Sequence, residues 1–312
     1  MPNAVITLQL DPFLHLGDRL VRWETLAVGG AVLVALVVAA LLAGRTGVPP
    51  HEDDSPGAIG HLRRDDLLFI VLGIVPGAVV GGRLAYVVFH WDYFEANRAA
   101  ILDPASGGLG LSGAVVIGML TGALVARLFD APIGRWFNVA AVPMLLVLGL
   151  GKAALVLGGT GQGLPSGADW ATRYLGPGPW GSLGPEIPSH PAQAYEAVGV
   201  GFILFCIVML WAADAFRAAD GRAFALALGG WAAVRLAVAG TWRDPLAWGP
   251  FNAEQLIDLG MVVLAVLVYL VVVRRTAAAT RRAAQRTAEA ESAAGSQGSG
   301  VSWPDPDRPP PF

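Results

Sequence analysis

Seven apolar stretches, at about 26–44, 67–89, 108–128, 137–158, 193–213, 223–241 and 254–273, each approach the roughly 20 residues needed to cross a bilayer. Nothing else in the sequence constrains the fold as strongly. Inside lipid every backbone N–H and C=O must find a partner within the chain, so the stretches are expected to be helices. Only 14% of residues are charged, against about 25% in a soluble domain. The fold class expected is all-α: a polytopic membrane protein of about seven transmembrane helices. The first stretch is too long for the apolar part of a secretory signal, and Asp18 and Glu24 lie among the arginines before it. It reads as a retained span.

Arginine placement gives a direction across the membrane. With the N-terminus outside, the inner segments hold thirteen arginines, six of them in the tail, and the outer segments five. The short loops alone favour the same direction, seven to five. The N-terminus is therefore expected outside and the C-terminus in the cytoplasm. Residues 45–66 form a polar inner loop. Residues 276–312 form a cytoplasmic tail, helical in its Ala-, Arg- and Glu-rich first part and disordered in "GSQGSGVSWPDPDRPPPF".

Ionisable residues within spans are costly in lipid and mark function by default. Given this topology, Arg83, Lys152, the segment "SHPAQAYEA" with His190, Gln193, Tyr195 and Glu196, then Arg235, Arg243, Glu254 and Gln255 all lie toward the outer face. Snorkelling to the headgroups explains any one of them. It explains Lys152 less well, since the chain's only lysine sits within "LLVLGLGKAALVLGG", and it does not explain the whole set. Arginine and lysine suit phosphate, and the phosphate available in an outer leaflet is a phospholipid headgroup. Pro191 suits a first helical turn, with Ser189 or His190 capping the free N–H groups ahead of it. Gln193 and Glu196, three apart, share a face.

Other classes fit less well. The single cysteine, Cys206, allows no intrachain disulfide and no cysteine-based metal site. No metal or other cofactor is implied, and nothing points to nucleic acid. A retinal-type Schiff base needs a lysine, normally in the last span, and that span has none. A transporter would place its polar groups near mid-membrane. The loop from 159 to 189 is rich in glycine and proline, with Trp170, Tyr174 and Trp180, and reads as an irregular arm over the pocket.

The residues quoted so far resemble those of the bacterial phosphatidylglycerol–prolipoprotein diacylglyceryl transferases. "HPAQAYE" at 190–196 is similar to that family's His-Pro-Ser-Gln-Leu-Tyr-Glu, and "GGRLAYVVF" at 81–89 to its Gly-Ala-Arg-Leu-Gly-Tyr. The N-terminal "ITLQLDPFLHLGDRLVRWETL", "GGLGLSG" at 107–113, Arg235 and "AEQL" at 253–256 follow in the family's order. The resemblance covers roughly residues 6–273. It makes residues 1–275 a transferase-like membrane domain in the bacterial plasma membrane. There are departures. Ser112 stands where the family has a histidine. "GKAALVLGGT" puts Lys152 for an arginine, Leu155 and Gly158 for two asparagines, and Thr160 for a glutamate. Glu24 replaces an aromatic, and Ala239 a glutamate.

The resemblance implies transfer of the diacylglyceryl group of phosphatidylglycerol to the lipobox cysteine of a prolipoprotein. On that reading Lys152, Arg235 and Arg83 hold the phosphate, and Gln193, Tyr195, Gln255 and Arg243 orient the headgroup. His190 or Glu196 serves as the base. The departures leave open a non-catalytic or altered-substrate relative that binds anionic phospholipid.

Overall fold

The computed structural model describes residues 5–48, 60–103 and 108–298. Residues 49–59 of the polar loop and 299–312 of the tail lie outside the described residues; the segment expected to be disordered starts at Gly295, and its first four residues are helical. Two compact units are distinguished, residues 1–269 and 270–312. In the second, the chain is helical as far as Gly298.

Among the described residues eight α-helices form: α1 (Trp23–Ala43), α2 (Arg64–Phe89), the short α3 (Trp91–Ala96), α4 (Leu111–Leu128), α5 (Ile133–Leu155), α6 (Ala192–Ala212), α7 (Arg222–Val238) and α8 (Ala253–Gly298). Seven of them, all but α3, are long and apolar enough to cross a membrane. The boundaries move by a few residues from those expected. α5 begins earlier and ends at Leu155, where turns take over, and α7 runs on as a 3₁₀ turn, Ala239–Thr241.

Small residues let these helices meet, because lipid supplies no hydrophobic drive between them. α1 buries only Ala31, Ala35, Ala39 and Ala43, one small residue per turn, and leaves Leu33, Val37 and Leu41 exposed. α2 and α4 approach backbone to backbone. A Cβ on Gly81 would strike Ile117 and the Gly113 carbonyl, and one on Gly113 would strike the Gly81 carbonyl. The Gly110 N–H also donates to the Gly82 carbonyl at 2.8 Å, which fixes where α4 begins. A core of Leu145, Val200, Leu228, Trp231 and Met261 joins α5, α6, α7 and α8.

Short strands pair in the segments before and between the helices. β1 (Ile6–Gln9) pairs in parallel with β6 (Thr172–Leu175), in the arm between α5 and α6. β2 (Phe13–Leu16) and β3 (Arg19–Arg22) form a hairpin leading into α1. β4 (Gly47–Val48) pairs with β5 (Gly60–His61), and β7 (Leu246–Trp248) with β8 (Phe251–Asn252). The arm at 159–189 is thus more ordered than its glycine and proline content suggests. Ser189 bridges to both Pro165 and Thr172.

Candidate functional site

Five helices bring polar side chains to one end of the bundle. Ser112 opens α4, Lys152 lies in the last turn of α5, and Glu196 is in the first turns of α6. Arg235 is in the last turn of α7, and Glu254 and Asp258 lie in the first turns of α8. The antiparallel order of neighbouring helices puts these starts and ends at the same level.

Arg235 is the hub, only 2% exposed. Its Nη2 lies 2.6 Å from Glu254 Oε2, its Nε 3.2 Å from Asp258 Oδ1 and its Nη1 3.4 Å from Glu196 Oε1. The same Nη2 donates to Ser112 Oγ at 3.3 Å, and Ser112 Oγ donates to Glu254 Oε2 at 2.6 Å. Lys152 Nζ reaches Glu196 Oε2 at 2.7 Å. Trp242 covers both cations, its ring 4.7 Å from the Arg235 guanidinium and 5.5 Å from Lys152 Nζ. Buried charges persist only when paired and hydrogen-bonded, and the fork of Arg235 meets that condition on three sides.

A second polar group lies on the arm and the α6 entrance. Trp170 Nε1 donates to the Tyr195 hydroxyl at 2.7 Å, and the same hydroxyl lies 3.2 Å from His190 Nδ1. The Tyr195 hydroxyl thus joins Trp170 to the imidazole and holds the His190 ring at Nδ1. Gln193 Nε2 donates to the Tyr174 hydroxyl at 3.3 Å, and Tyr174 donates to the Val156 carbonyl at 2.9 Å. Gln193 Oε1 is buried and has no hydrogen-bond partner among the described residues. Burial pushes the Tyr174 phenol up to about 12, aided by the charge of Glu24 and opposed by the Gln193 hydrogen bond.

Alongside, an apolar cavity of about 520 Å³ runs between α1, α2, α4 and α5, lined by Leu36, Ile74, Leu111, Met144 and Leu148 among others. Leu111 immediately precedes Ser112, and Leu148 is one turn before Lys152. Two of its lining residues are thus close sequence neighbours of the cluster, on α4 and α5. Among the described residues, no group of three or more His, Cys, Asp or Glu is placed to hold a metal ion.

Comparison with known proteins decides the family. A model of the prolipoprotein diacylglyceryl transferases matches residues 12–271. The chain belongs to that family. It is 25% identical over 288 residues to the phosphatidylglycerol–prolipoprotein diacylglyceryl transferase of Bacillus cereus (strain B4264), spanning 88% of this chain and 96% of that protein. The enzyme of the same name from Geobacter sulfurreducens is 27% identical over 273 residues, 85% of this chain and 96% of that protein. That of Bacillus anthracis (strain CDC 684 / NRRL 3495) is 25% identical over 288 residues, 88% of this chain and 96% of that protein.

Set against the family pattern, three of the departures touch one another. Thr160 Oγ1 donates to Glu24 Oε2 at 2.9 Å, and Arg22 Nε lies 2.7 Å from Glu24 Oε1. A Cβ on Gly158 would strike the Glu24 carboxylate. Glu24 thus fills the space that Gly158 leaves empty and gives the Thr160 hydroxyl its acceptor.

Several sequence expectations change. Arg83 does not join the cluster. Its guanidinium donates to the carbonyls of Ala100, Ile101 and Asp103 at 2.6–2.9 Å and to Gly108 at 3.3 Å, so it clamps the loop after α3. Glu196, a candidate base, is instead held in ion pairs with Lys152 and Arg235. Gln255 faces its own helix start: its Oε1 accepts from Asn252 N–H at 3.1 Å, while Asn252 Oδ1 accepts from Gln255 N–H at 2.8 Å. This is a reciprocal capping pair. Arg243 stands exposed in the turn between α7 and α8. Neither Ser189 nor His190 caps α6. Pro191 holds that position without a side-chain bond, because the Ser189 hydroxyl goes to the Ile187 carbonyl and His190 goes to Tyr195. Asp258 was missed, though a lone acid inside "LIDLGMVVLAVL" is itself a signal. Ser112 had been seen only as a departure.

Proposed function

We propose that this chain transfers the diacylglyceryl group of phosphatidylglycerol to the lipobox cysteine of a prolipoprotein. It would act in the bacterial plasma membrane, with its N-terminus outside and its charged cluster at the outer face. The observation that carries the reading is the buried cluster of Lys152, Glu196 and Arg235, in a chain of this family whose α4 and α5 also line an apolar cavity. A headgroup would sit at the charged end, with acyl chains in the cavity.

Each group then has work suited to its chemistry. Lys152, the more open of the two cluster cations, would meet the phosphate, with Arg235 fixed behind it and the exposed Arg243 as a further cation for the headgroup. Charge gathers on the departing phosphate, and preorganised cations stabilise it at little reorganisation cost. His190, its ring held at Nδ1 by Tyr195, would offer Nε2 to the phosphate. The unpartnered Oε1 of Gln193 suits a hydroxyl of the headgroup glycerol, since a buried acceptor left empty is costly. Glu196 has no exposed side-chain surface. It orders the cations and does not meet an incoming thiol.

The test is a transfer assay with purified protein in phosphatidylglycerol vesicles. A lipobox peptide with cysteine is offered beside a serine version, and mass spectrometry reads the adduct. A diacylglyceryl adduct on the cysteine peptide alone is expected. Binding of the lipid without any adduct, from folded protein, would replace this reading with that of a non-catalytic lipid-binding relative.

A further inference from the structure

Three carboxylates, Glu196, Glu254 and Asp258, meet two cations, Lys152 and Arg235, in the cluster. They differ in access. The side chains of Glu196 and Asp258 are 0% exposed, whereas that of Glu254 is 16% exposed, close to the 18% of Lys152. Glu254 and Lys152 are therefore the two charged groups of the cluster that open outward. The contacts of Glu254 also fall on one oxygen. Ser112 Oγ and Arg235 Nη2 both donate to Oε2 at 2.6 Å. Among the described residues none donates to Oε1, which is not buried. Ser112 accepts from Arg235, so its own hydrogen is committed to Glu254. The serine positions the carboxylate and has no free role as a base.

We infer that Glu254 is the base that takes the proton of the acceptor thiol, through Oε1, with Ser112 and Arg235 as positioning residues. The inference rests on the transferase reading. A thiol is mostly protonated at neutral pH, and the thiolate is the nucleophile. The proton passes from sulfur to Glu254, and a sulfur lone pair forms the S–C bond to the glyceryl carbon. The C–O bond to phosphate breaks, and its electron pair leaves with glycerol phosphate. Glu254 then gives its proton to the departing phosphate or to water. Uptake of one proton offsets the one carboxylate in excess over cations. The charged groups facing Glu254 are Arg235 on α7, Asp258 on its own helix, and Asp244 in the turn after α7, with Glu196 and Lys152 beyond Arg235.

The experiment pairs Glu254→Gln with two acceptor peptides, one with cysteine and one with selenocysteine, whose selenol is ionised at neutral pH without help. Glutamine keeps the size of the side chain and can still accept from Ser112 and Arg235. Transfer to cysteine by E254Q should fall about 100-fold or more in kcat, the scale of a lost general base, with KM for phosphatidylglycerol changed only a few-fold. The selenocysteine peptide should be modified at nearly the wild-type rate. Retained transfer to cysteine would overturn the assignment. Loss with both acceptors, from protein that still binds phosphatidylglycerol, would overturn it too and make Glu254 structural. Should E254Q not fold, Ser112→Ala serves: a smaller kcat loss, again rescued by selenocysteine, is expected, and an equal loss with both acceptors counts against it. Wild-type protein that modifies neither peptide would instead refute the transferase reading.

Discussion

Lys152 Nζ and Glu196 Oε2 lie 2.7 Å apart, and the carboxylate has no exposed surface. Losing one partner of a buried pair costs about 3–5 kcal/mol. Lys152→Met should fall toward the lower end, because Arg235 still faces Glu196 at 3.4 Å. The double variant Lys152→Met with Glu196→Leu should cost less than the sum of the two single changes by about 1 kcal/mol or more. Thermal unfolding of the four proteins in one detergent measures this, and strict additivity would mean the pair is not coupled.

Arg83 ties four loop carbonyls together, a geometry that a lysine's point charge cannot reproduce. Arg83→Lys should speed amide exchange at residues 98–103 while leaving α5 and α6 unchanged. Exchange mass spectrometry checks it. A variant with unchanged protection at 98–103 but weaker phosphatidylglycerol binding would return Arg83 to the headgroup.

The start of α8 depends on a local exchange of hydrogen bonds. Gln255→Ala should cost about 1 kcal/mol, in the range of a lost cap. Asn252→Ala should cost more, since Asn252 Nδ2 also donates to the Ala239 carbonyl at 2.8 Å. Unfolding midpoints in one detergent give the order, and the reverse order would contradict it.

Tyr174 should set an alkaline limit. Its folded phenol is pushed up to about 12, from the ordinary value of 10.0. A raised phenol keeps its proton in the folded state while the unfolded chain loses it, so stability is intact below pH 10 and falls between about pH 10 and 12. Tyr174→Phe should flatten that part of the stability profile. Phenolate absorbance and melting temperature against pH read it. An unchanged slope in the variant would assign the alkaline loss elsewhere.

Helical spans were readable because bilayer thickness imposes one length on each. The level of the charges was readable too, since Lys152, Glu196, Arg235 and Glu254 interrupt apolar runs where an ion is expensive. Pairing was not. Arg83 and Lys152 look alike as cations near span ends, yet one finds backbone carbonyls and the other a carboxylate. Nothing local to either distinguishes them, because the partners come from distant segments. Gln255 misled for the opposite reason. Its partner, Asn252, is three residues away, and a capping pair competes with a binding role for the same amide. Asp258 escaped notice because its signal was one residue in an otherwise oily helix. The meeting of Glu24 with Thr160 and Gly158 links α1 to the far end of α5, a contact that no periodicity encodes.

The pairing of β1 with β6 has a consequence for assembly. Four membrane-spanning helices separate Ile6 from its partner Thr172. During synthesis the first strand must wait, its edge bare, until the arm after α5 has been delivered to the same side. Loop closure over such a length costs little more than over half of it, but a contact so remote in sequence forms late. The outer rim of the bundle is therefore completed after the spans are in place. A chain halted between α5 and β6 would keep four inserted helices and an unpaired strand, a target for quality-control proteases before any lipid has been handled.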